Sequence, residues 1–179
     1  MLFRSRLVLA EPSAPMAALC REFAQAEVWP CEAEALPGPE ADGAFDAVLC
    51  LWNVLGHVDG HARRMEALRR MRALLAPGGV LVADVHNRYN VAAAGVAAVS
   101  GRAWRDWRAP AEENGDVSFT WQVDGLTLPA RGHLFAPAGV RALCDEAGLR
   151  IEHEAFVDYA TGRLRGPWTG QMVVAAVSR

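Results

Sequence analysis

The sequence predicts one α/β domain built on a doubly wound, mostly parallel sheet, and three observations support this prediction. Residues 44–51 (AFDAVLCL) and 80–85 (VLVADV) are nearly continuous in apolar residues, as expected for parallel strands covered on both faces. A helical pattern over about residues 61–75 lies between them, with an apolar stripe edged by arginines, and residues 76–79 (APGG) end it. Strand and helix therefore alternate, which indicates right-handed crossovers.

The amino-terminal segments continue this alternation. Residues 6–10 (RLVLA) predict a short buried strand, and residues 14–24 predict a helix with apolar residues at helical spacing. Residues 28–31 (VWPC) predict a second, weaker strand, and residues 37–43 predict a loop rich in proline, glycine and acidic residues. These segments add two strands and one helix to the predicted sheet.

Beyond residue 90 the alternation is interrupted. Residues 91–99 predict a helix of small residues, and residues 102–116 are polar with two tryptophans. An insertion at about residues 102–135 holds a predicted β-hairpin whose strands are joined by an Asp-Gly turn. The other predicted elements are the hairpin strands 117–123 and 126–128, a helix over 137–147 closed by Gly148, and two final strands over 149–159 and 171–177.

Length and composition narrow the class of protein. With 179 residues, 52% of them hydrophobic and 22% charged, the chain has enough apolar material for a single domain with a core. The formal net charge of −3 argues against a nucleic-acid partner, because such proteins usually present a basic face. All 18 basic residues are arginines, which excludes lysine Schiff bases and P-loop phosphate binding.

The cysteines and the apolar segments indicate the cellular compartment of the protein. The 4 cysteines are far apart and include no C-x-x-C pair, which favours reduced thiols over disulfides or a zinc site. No apolar stretch is long enough to span a bilayer, and the amino terminus lacks the pattern of a signal peptide. We therefore expect a cytoplasmic protein with no membrane partner. The sequence does not indicate an oligomeric state.

Three signals follow one another in a specific order. Glu11 ends the first predicted strand, and Glu32-Ala33 follows the second strand within CEAEALP. The strand FDAVLC comes next, and after a helix comes the turn and strand LLAPGGVLVAD. This order resembles that of the class I S-adenosylmethionine-dependent methyltransferases, in particular the small-molecule methyltransferase domains. The resemblance covers nearly the whole chain.

The resemblance implies a Rossmann-like, seven-stranded sheet whose last strand is antiparallel and inserted, which suits residues 171–177. It also implies S-adenosylmethionine as the cofactor and a small molecule as the methyl acceptor. The family's glycine-rich loop after its first strand is missing, since no G-x-G occurs in the chain. We therefore expect an N-terminally truncated domain, in preference to a degenerate one. A gap between strands 6–10 and 44–51 would expose two strand edges or force them to pair.

Six residues match the family's cofactor-binding positions. Glu11 matches the acid that accepts hydrogen bonds from both ribose hydroxyls; the alternative is a carboxylate that stabilises the start of the next helix. Glu32 matches the acid that binds the adenine amino group, beside the backbone of Ala33; the alternative is a solvated loop carboxylate. Trp52 suits core packing equally well. The three residues expected to line the cofactor after the third strand are Cys50, Leu51 and Trp52.

Polar residues at the carboxyl ends of the strands match the acceptor side, where such folds open their crevice. Asn53 and His57 match positions where an asparagine and a histidine recur in small-amine N-methyltransferases; the alternative is capping of the next helix. Residues 84–90 (DVHNRYN) end the following strand on the same rim. We assign catalysis to His57 and His86, the latter as a candidate general base. The candidate substrate-binding residues, of which two or three could instead cap a helix, are Asn53, Asn87, Arg88 and Tyr89.

The complete domain is expected to transfer a methyl group from S-adenosylmethionine to a nitrogen or oxygen nucleophile of a small molecule, whereas this chain alone, which lacks the glycine-rich loop, is expected to be inactive. One alternative is a nicotinamide-dependent oxidoreductase, against which the missing lysine and the PGG turn count. The other is a non-catalytic interaction domain, which the missing glycine loop favours. His57 and His61 have the spacing of metal ligands, but no third ligand completes a site, so no metal is predicted.

The insertion at residues 102–135 carries a further expectation. It holds three tryptophans (Trp104, Trp107 and Trp121), and its hairpin turn argues against disorder. We expect it to fold over the strand ends as a lid on the acceptor site. The alternative is that the tryptophans cover a sheet edge or a dimer contact.

Overall fold

The computed structural model describes residues 6–24, 26–123 and 125–179. No helix within these ranges is both long enough and apolar enough to cross a bilayer. The helices and strands follow one another as β1 (Val8–Ala10), α1 (Ala14–Ala24), β2 (Glu27–Trp29), β3 (Phe45–Cys50), α2 (Val54–His57), α3 (His61–Leu74), β4 (Leu75–Val85), α4 (Val91–Ala94), α5 (Val96–Arg108), β5 (Asp116–Val123), β6 (Leu126–His133), α6 (Pro137–Glu146), β7 (Leu149–Val157), β8 (Leu164–Arg165) and β9 (Gln171–Ser178).

The main sheet has five strands in the order β3-β4-β9-β7-β8. β3 and β4 are parallel, and β9 is antiparallel to both β4 and β7. β3, β4 and β7 therefore share one direction, and the last strand of the chain is inserted between two of them in the opposite direction. The predicted doubly wound sheet with an antiparallel last strand is confirmed.

Helices α3 and α6 cover one face of this sheet and bury the core there. Alternate residues of β4 and β9 point into this layer, because successive side chains of a strand face opposite sides. Burial at about 25 cal/mol per Å² of apolar surface makes this layer the main source of stability. The central buried side chains are Met65, Leu68 and Met71 of α3, Leu81, Ala83 and Val85 of β4, Val140 and Leu143 of α6, and Met172, Val174 and Ala176 of β9.

A gap separates the main sheet from a second, two-stranded parallel sheet formed by β1 and β2. Within the described ranges no strand lies between β1 and β3, and the two do not pair with each other. Trp29 of β2 instead contacts Phe45 of β3 edge-to-face, with ring centroids 5.7 Å apart. Leu49, on the β3 face opposite Cys50, is 64% exposed although its strand has the composition of one covered on both sides. Of the two predicted outcomes, exposed strand edges or direct pairing of β1 with β3, the described residues show the first.

Most predicted elements are confirmed, with differences that have local causes. The predicted helix over residues 91–99 is two helices, because Gly95 adopts φ +81° and ends α4. The polar stretch that follows was not predicted as helical, yet α5 continues to Arg108. β4 begins at Leu75 directly after α3, and residues 76–79 form a bulge against β3. The short strand β8 was not predicted.

A buried arginine joins the hairpin β5-β6 to helix α3. The Arg64 side chain is 1% exposed, donates to the Val58 carbonyl at 2.8 Å and pairs with Glu112. His133 lies in the same cluster, with its Nδ1 2.8 Å from Asp116 Oδ1. Glu112, Asp116 and His133 have the ligand types of a metal site, but the Arg64 guanidinium already supplies the compensating positive charge. This cluster therefore holds the insertion to the core.

The same cluster predicts how stability depends on pH. Burial lowers the pKa of His133, against the opposing effects of Asp116 and Glu112, and the Arg64 charge lowers it further. The unfolded chain takes up this proton near pH 6.5, while the folded chain does so only at lower pH. The free energy of unfolding is therefore expected to fall as the pH drops from about 7.5 through 6.5 towards 5.5.

Urea denaturation at a series of pH values measures this effect. His133→Gln should flatten the pH dependence in that interval, although His86, whose pKa is also lowered by burial, contributes in the same direction. The matched control is His153→Gln, at an exposed position on β7. A profile for His133→Gln that is identical to those of the wild type and His153→Gln would contradict the prediction.

Candidate active site

The carboxyl ends of β3 and β4 are joined by a buried asparagine. Asn53 is 3% exposed; its backbone N–H donates to Asp84 Oδ1 at 2.8 Å, and its side-chain Oδ1 accepts from the His86 backbone N–H at 2.8 Å. Asp84 is the second-last residue of β4, and His86 follows the strand. The two strand ends are thus held in fixed register at the rim where α/β folds bind ligands.

The turn that carries this asparagine has an unusual backbone. Trp52 and Asn53 are both left-handed, with φ +62° and φ +55°, and they are the non-glycine residues with positive φ in the described ranges. Such conformations cost about 1–3 kcal/mol each and persist where surrounding contacts hold them, often at functional sites. Gly56 permits the arrangement, because a Cβ there would come within 2.3 Å of the Asn53 side chain. The turn leaves Trp52 80% exposed at the rim.

Tyr159, just after β7, completes the rim from the other side of the sheet. Burial together with the nearby Asp84 charge raises the pKa of its phenol. The Tyr159 ring lies 6.3 Å from the Trp52 ring and 5.9 Å from the His86 ring, centroid to centroid. Three rings and one carboxylate therefore meet at the carboxyl ends of β3, β4 and β7.

The two histidines predicted to be catalytic differ in their surroundings. His86 is half-buried, and burial lowers the pKa of its imidazole, with Asp84 opposing the shift and His57 adding to it. The ring is therefore neutral at pH 7 and able to accept a proton. His57 is exposed on α2; its Nδ1 lies 3.4 Å from the Arg131 carbonyl and its ring packs against Phe119 of the hairpin. The structure places both histidines on the rim, and their catalytic roles stay predictions.

The other polar residues after β4 are engaged in internal contacts. Asn87 is buried and donates to two carbonyls of the β8-β9 loop, and its Oδ1 accepts from the Tyr89 N–H. Arg88 is 3% exposed and forms a bidentate pair with Asp106 of α5, to which the Tyr89 hydroxyl also donates. Burial and this contact raise the pKa of Tyr89 to about 12. Asn87 and Arg88 are therefore occupied within the fold, and their predicted contacts with substrate remain untested. Asn90 caps α4.

The residues predicted to bind the adenosine part of the cofactor lie near β1 and β2. Glu11 is half-buried after β1, and its Oε1 accepts from the Ser13 N–H at 2.8 Å, as the helix-start alternative described. Glu32 is exposed and pairs with Arg63, and half-buried Ala33 begins a short 3₁₀ turn. These contacts do not test ribose or adenine binding, which stay predictions.

The residues predicted to line the cofactor after β3 divide between the core and the surface. Cys50 is 3% exposed, and burial raises the pKa of its thiol to about 11. Its side chain belongs to the core layer and is inert at neutral pH. Leu51 and Trp52 are exposed at the rim, so core packing, the alternative for Trp52, is not what the structure shows.

Sequence reasoning missed two residues of this rim. Asp84 lay within the segment DVHNRYN without being singled out, and Tyr159 lies beyond the second-last long strand, far from every motif. The local signal for Asp84 was a carboxylate at the end of an apolar strand, which is typical of a site. No local signal identifies Tyr159, because its position at the rim depends on how β7 and β9 are placed beside β4.

Comparisons with known proteins agree with this geometry. A family model described as a methyltransferase domain matches residues 2–81. No curated protein sequence matches the chain significantly. The structure is similar to the CcbJ methyltransferase of Streptomyces caelestis, with TM-score 0.67 and 17% identity over 97% of this chain and 74% of that one.

Two further solved structures are similar at the same level. An S-adenosylmethionine-dependent methyltransferase of Methanosarcina mazei has TM-score 0.68 and 16% identity over 96% of this chain and 82% of that one. The glycopeptide N-methyltransferase MtfA, solved with S-adenosylmethionine, has TM-score 0.61 and 15% identity over 97% of this chain and 78% of that one.

The strand order defines an α/β domain with a rim of polar and aromatic residues at the carboxyl ends of its strands. The fold is that of the class I S-adenosylmethionine-dependent methyltransferases, and the resemblance inferred from the sequence motifs is confirmed.

Proposed function

We propose that this domain transfers a methyl group from S-adenosylmethionine to a nitrogen or oxygen nucleophile of a small molecule, at the rim formed by β3, β4 and β7. The observation that supports it most is the convergence of Asp84, His86 and Tyr159 beside the strained turn at Trp52 and Asn53. Reaction sites at strand ends often combine a strained backbone, an exposed aromatic side chain and a neutral histidine. The methyltransferase family match over residues 2–81 supports this reaction class.

The residues of the rim suit the demands of methyl transfer. Direct displacement at a sulfonium carbon needs alignment of the two reactants and loss of a proton from the acceptor, with little covalent help. His86 is held by the Asn53 side chain and is neutral, so its ring can take that proton. His57 lies on the side of the hairpin and would contact the acceptor or its proton path.

The cofactor side is matched in part by the residues present. Glu11 uses Oε1 to hold the start of α1, and within the described ranges its Oε2 makes no hydrogen bond and is available to ribose hydroxyls. Glu32, the Ala33 backbone and the Leu51-Trp52 edge would hold the adenine. When bound, S-adenosylmethionine supplies an electrophilic methyl group on a positively charged sulfur. No G-x-G loop occurs in the chain to approach its methionine part, so we expect the cofactor to be held mainly through adenosine.

The hairpin β5-β6 is proposed to border the acceptor site as a lid. It lies against α2, with Gly132 close to the Gly56 carbonyl and Phe119 against His57. Its Trp121 is 53% exposed, as are Trp104 at 59% and Trp107 at 74% on α5. Tryptophans that remain this exposed are free to contact a ligand or a partner.

A methyl-transfer assay with a matched histidine control tests the proposal. At ordinary cofactor concentrations this chain alone is expected to be inactive. With S-adenosylmethionine on the order of 1 mM, to offset an affinity that we expect to be weak, it should release S-adenosylhomocysteine when mixed amine and alcohol acceptors are added. His86→Gln should lower this rate about 100-fold, the usual contribution of a general base. Mass spectrometry of released S-adenosylhomocysteine measures the rate, and calorimetric titration measures cofactor affinity.

The control variant is His153→Gln, at an exposed position on β7, and its rate should equal that of the wild type. Cofactor affinity should be the same for all three proteins, because His86 is assigned to the acceptor side. Binding without turnover under every acceptor would contradict the catalytic proposal. An absence of both binding and turnover would instead favour the non-catalytic interaction domain.

A further inference from the structure

Asp84 is a half-buried carboxylate near the end of β4. Its Oδ1 accepts from the Asn53 N–H at 2.8 Å, and its charge contributes to raising the pKa of the nearby Tyr159 phenol. No ion pair formed by the described residues includes it. Asp106 of α5, a half-buried carboxylate that contacts Arg88 and Tyr89 just after β4, has Arg88 as its partner. A carboxylate shielded from water and unpaired favours the approach of a cation, because its own charge is otherwise poorly compensated.

Aromatic rings stand beside this carboxylate and reach solvent. Tyr159 is 36% exposed and Trp52 is 80% exposed, with 6.3 Å between their ring centroids in an edge-to-face arrangement. The faces of tryptophan and tyrosine attract cations through the ring quadrupole, and paired aromatic walls are the usual recognition element for ammonium groups. His86 borders the same space, 5.9 Å from the Tyr159 ring, and adds no positive charge while its imidazole is neutral.

We propose that the methyl acceptor is a cationic amine, held with its ammonium group between the Asp84 carboxylate and the rings of Trp52 and Tyr159. This inference rests on the proposed function and narrows the acceptor from nitrogen or oxygen nucleophiles to amines. An alcohol would gain neither the charge attraction nor the cation–π contact. The ammonium must lose one proton before its nitrogen can attack, and the His86 ring takes that proton and becomes an imidazolium.

A charged probe and its neutral isostere test the recognition separately from catalysis. Choline carries a quaternary ammonium that cannot accept a methyl group, and 3,3-dimethylbutan-1-ol has the same shape without the charge. Titration of the chain with each, followed by the indole and amide signals in NMR spectra at low ionic strength, should show choline binding at least about fivefold more tightly.

Variants at two positions assign this preference to the site. Asp84→Asn and Tyr159→Leu should each bring the affinity for choline down to that for 3,3-dimethylbutan-1-ol. Tyr159→Phe keeps an aromatic face and should retain most of the preference, which separates the ring from its hydroxyl. Unchanged binding of the neutral isostere, together with circular dichroism, shows that each variant is folded. Tyr159 is partly exposed, so its substitution tests the site even if Asp84→Asn proves unstable.

Each remaining outcome has a defined meaning. Equal affinity of the wild type for the two probes overturns the inference, and so does a preference that survives both Asp84→Asn and Tyr159→Leu. If Asp84→Asn weakens S-adenosylmethionine more than S-adenosylhomocysteine and leaves choline unaffected, the cation held there is the sulfonium, and the acceptor assignment is wrong. A choline preference in a chain that never transfers a methyl group would overturn the proposed function and leave the amine site standing.

Discussion

Arg64→Met is expected to lower the free energy of unfolding by about 3 kcal/mol, among the largest effects of any single substitution in this chain. The substitution keeps much of the side-chain volume on α3 but removes the cation that compensates Glu112 and, at 4.0 Å, Asp116. It also removes the hydrogen bond to the Val58 carbonyl. Loss of one partner from a buried ion pair is costly because the other charge stays behind, partly shielded from water. Urea denaturation measures the change.

The matched control for this substitution lies on the same helix. Arg69→Met removes a 51% exposed arginine that lies 3.9 Å from Glu146, and it should change stability by less than about 0.5 kcal/mol, as exposed pairs do. Adding Glu112→Gln to Arg64→Met should recover part of the loss, since the stranded charge is then removed. If Arg64→Met were no more destabilising than Arg69→Met, the cluster would not hold the insertion to the core.

Asn53→Ala is expected to destabilise the domain by about 2–3 kcal/mol and to disorder the rim. Part of the cost is the His86 backbone N–H, which loses its acceptor. The rest is the left-handed backbone at φ +55°, which asparagine tolerates better than alanine. Because this side chain fixes the end of β3 against the end of β4, choline binding should weaken along with stability.

Two further variants separate these contributions. Asn53→Gly relieves the backbone strain but still lacks the acceptor, so it should be less destabilised than Asn53→Ala by about 1 kcal/mol. Asn114→Ala, which removes a side chain hydrogen-bonded to the Ala109 carbonyl at an exposed site, should cost less than about 1 kcal/mol. Equal stability of Asn53→Ala and Asn114→Ala, measured by urea denaturation, would show that the turn does not hold the strand ends.

The sequence by itself determined the class of fold. The continuous apolar runs at β3 and β4, the glycine turn before β4 and the alternation with α3 allow little other than a parallel sheet with helices on it. Hydrophobic periodicity is a local property, so it can be identified in a segment without knowing which elements pack against that segment. The missing G-x-G also predicted the gap between β1 and β3 that the structure shows.

The sequence did not predict how far the helix in the insertion extends. Residues 102–108 are polar and carry two tryptophans, yet they continue a helix, because Asp106 is held from outside by Arg88 and Tyr89. Contacts that come from another segment of the chain are not visible in a local sequence pattern.

The tertiary structure alone decided which polar residues of the rim are free. The three residues after His86 in the sequence are also polar: Asn87, Arg88 and Tyr89. However, the Asn87 side chain donates to carbonyls of the β8-β9 loop, and Arg88 forms an ion pair with Asp106. Among the residues that the structure describes, no cation pairs with Asp84, and Tyr159 lies near it because β9 is inserted between β4 and β7. A polar side chain forms hydrogen bonds with the partners that the fold places next to it, and these partners are often distant in sequence.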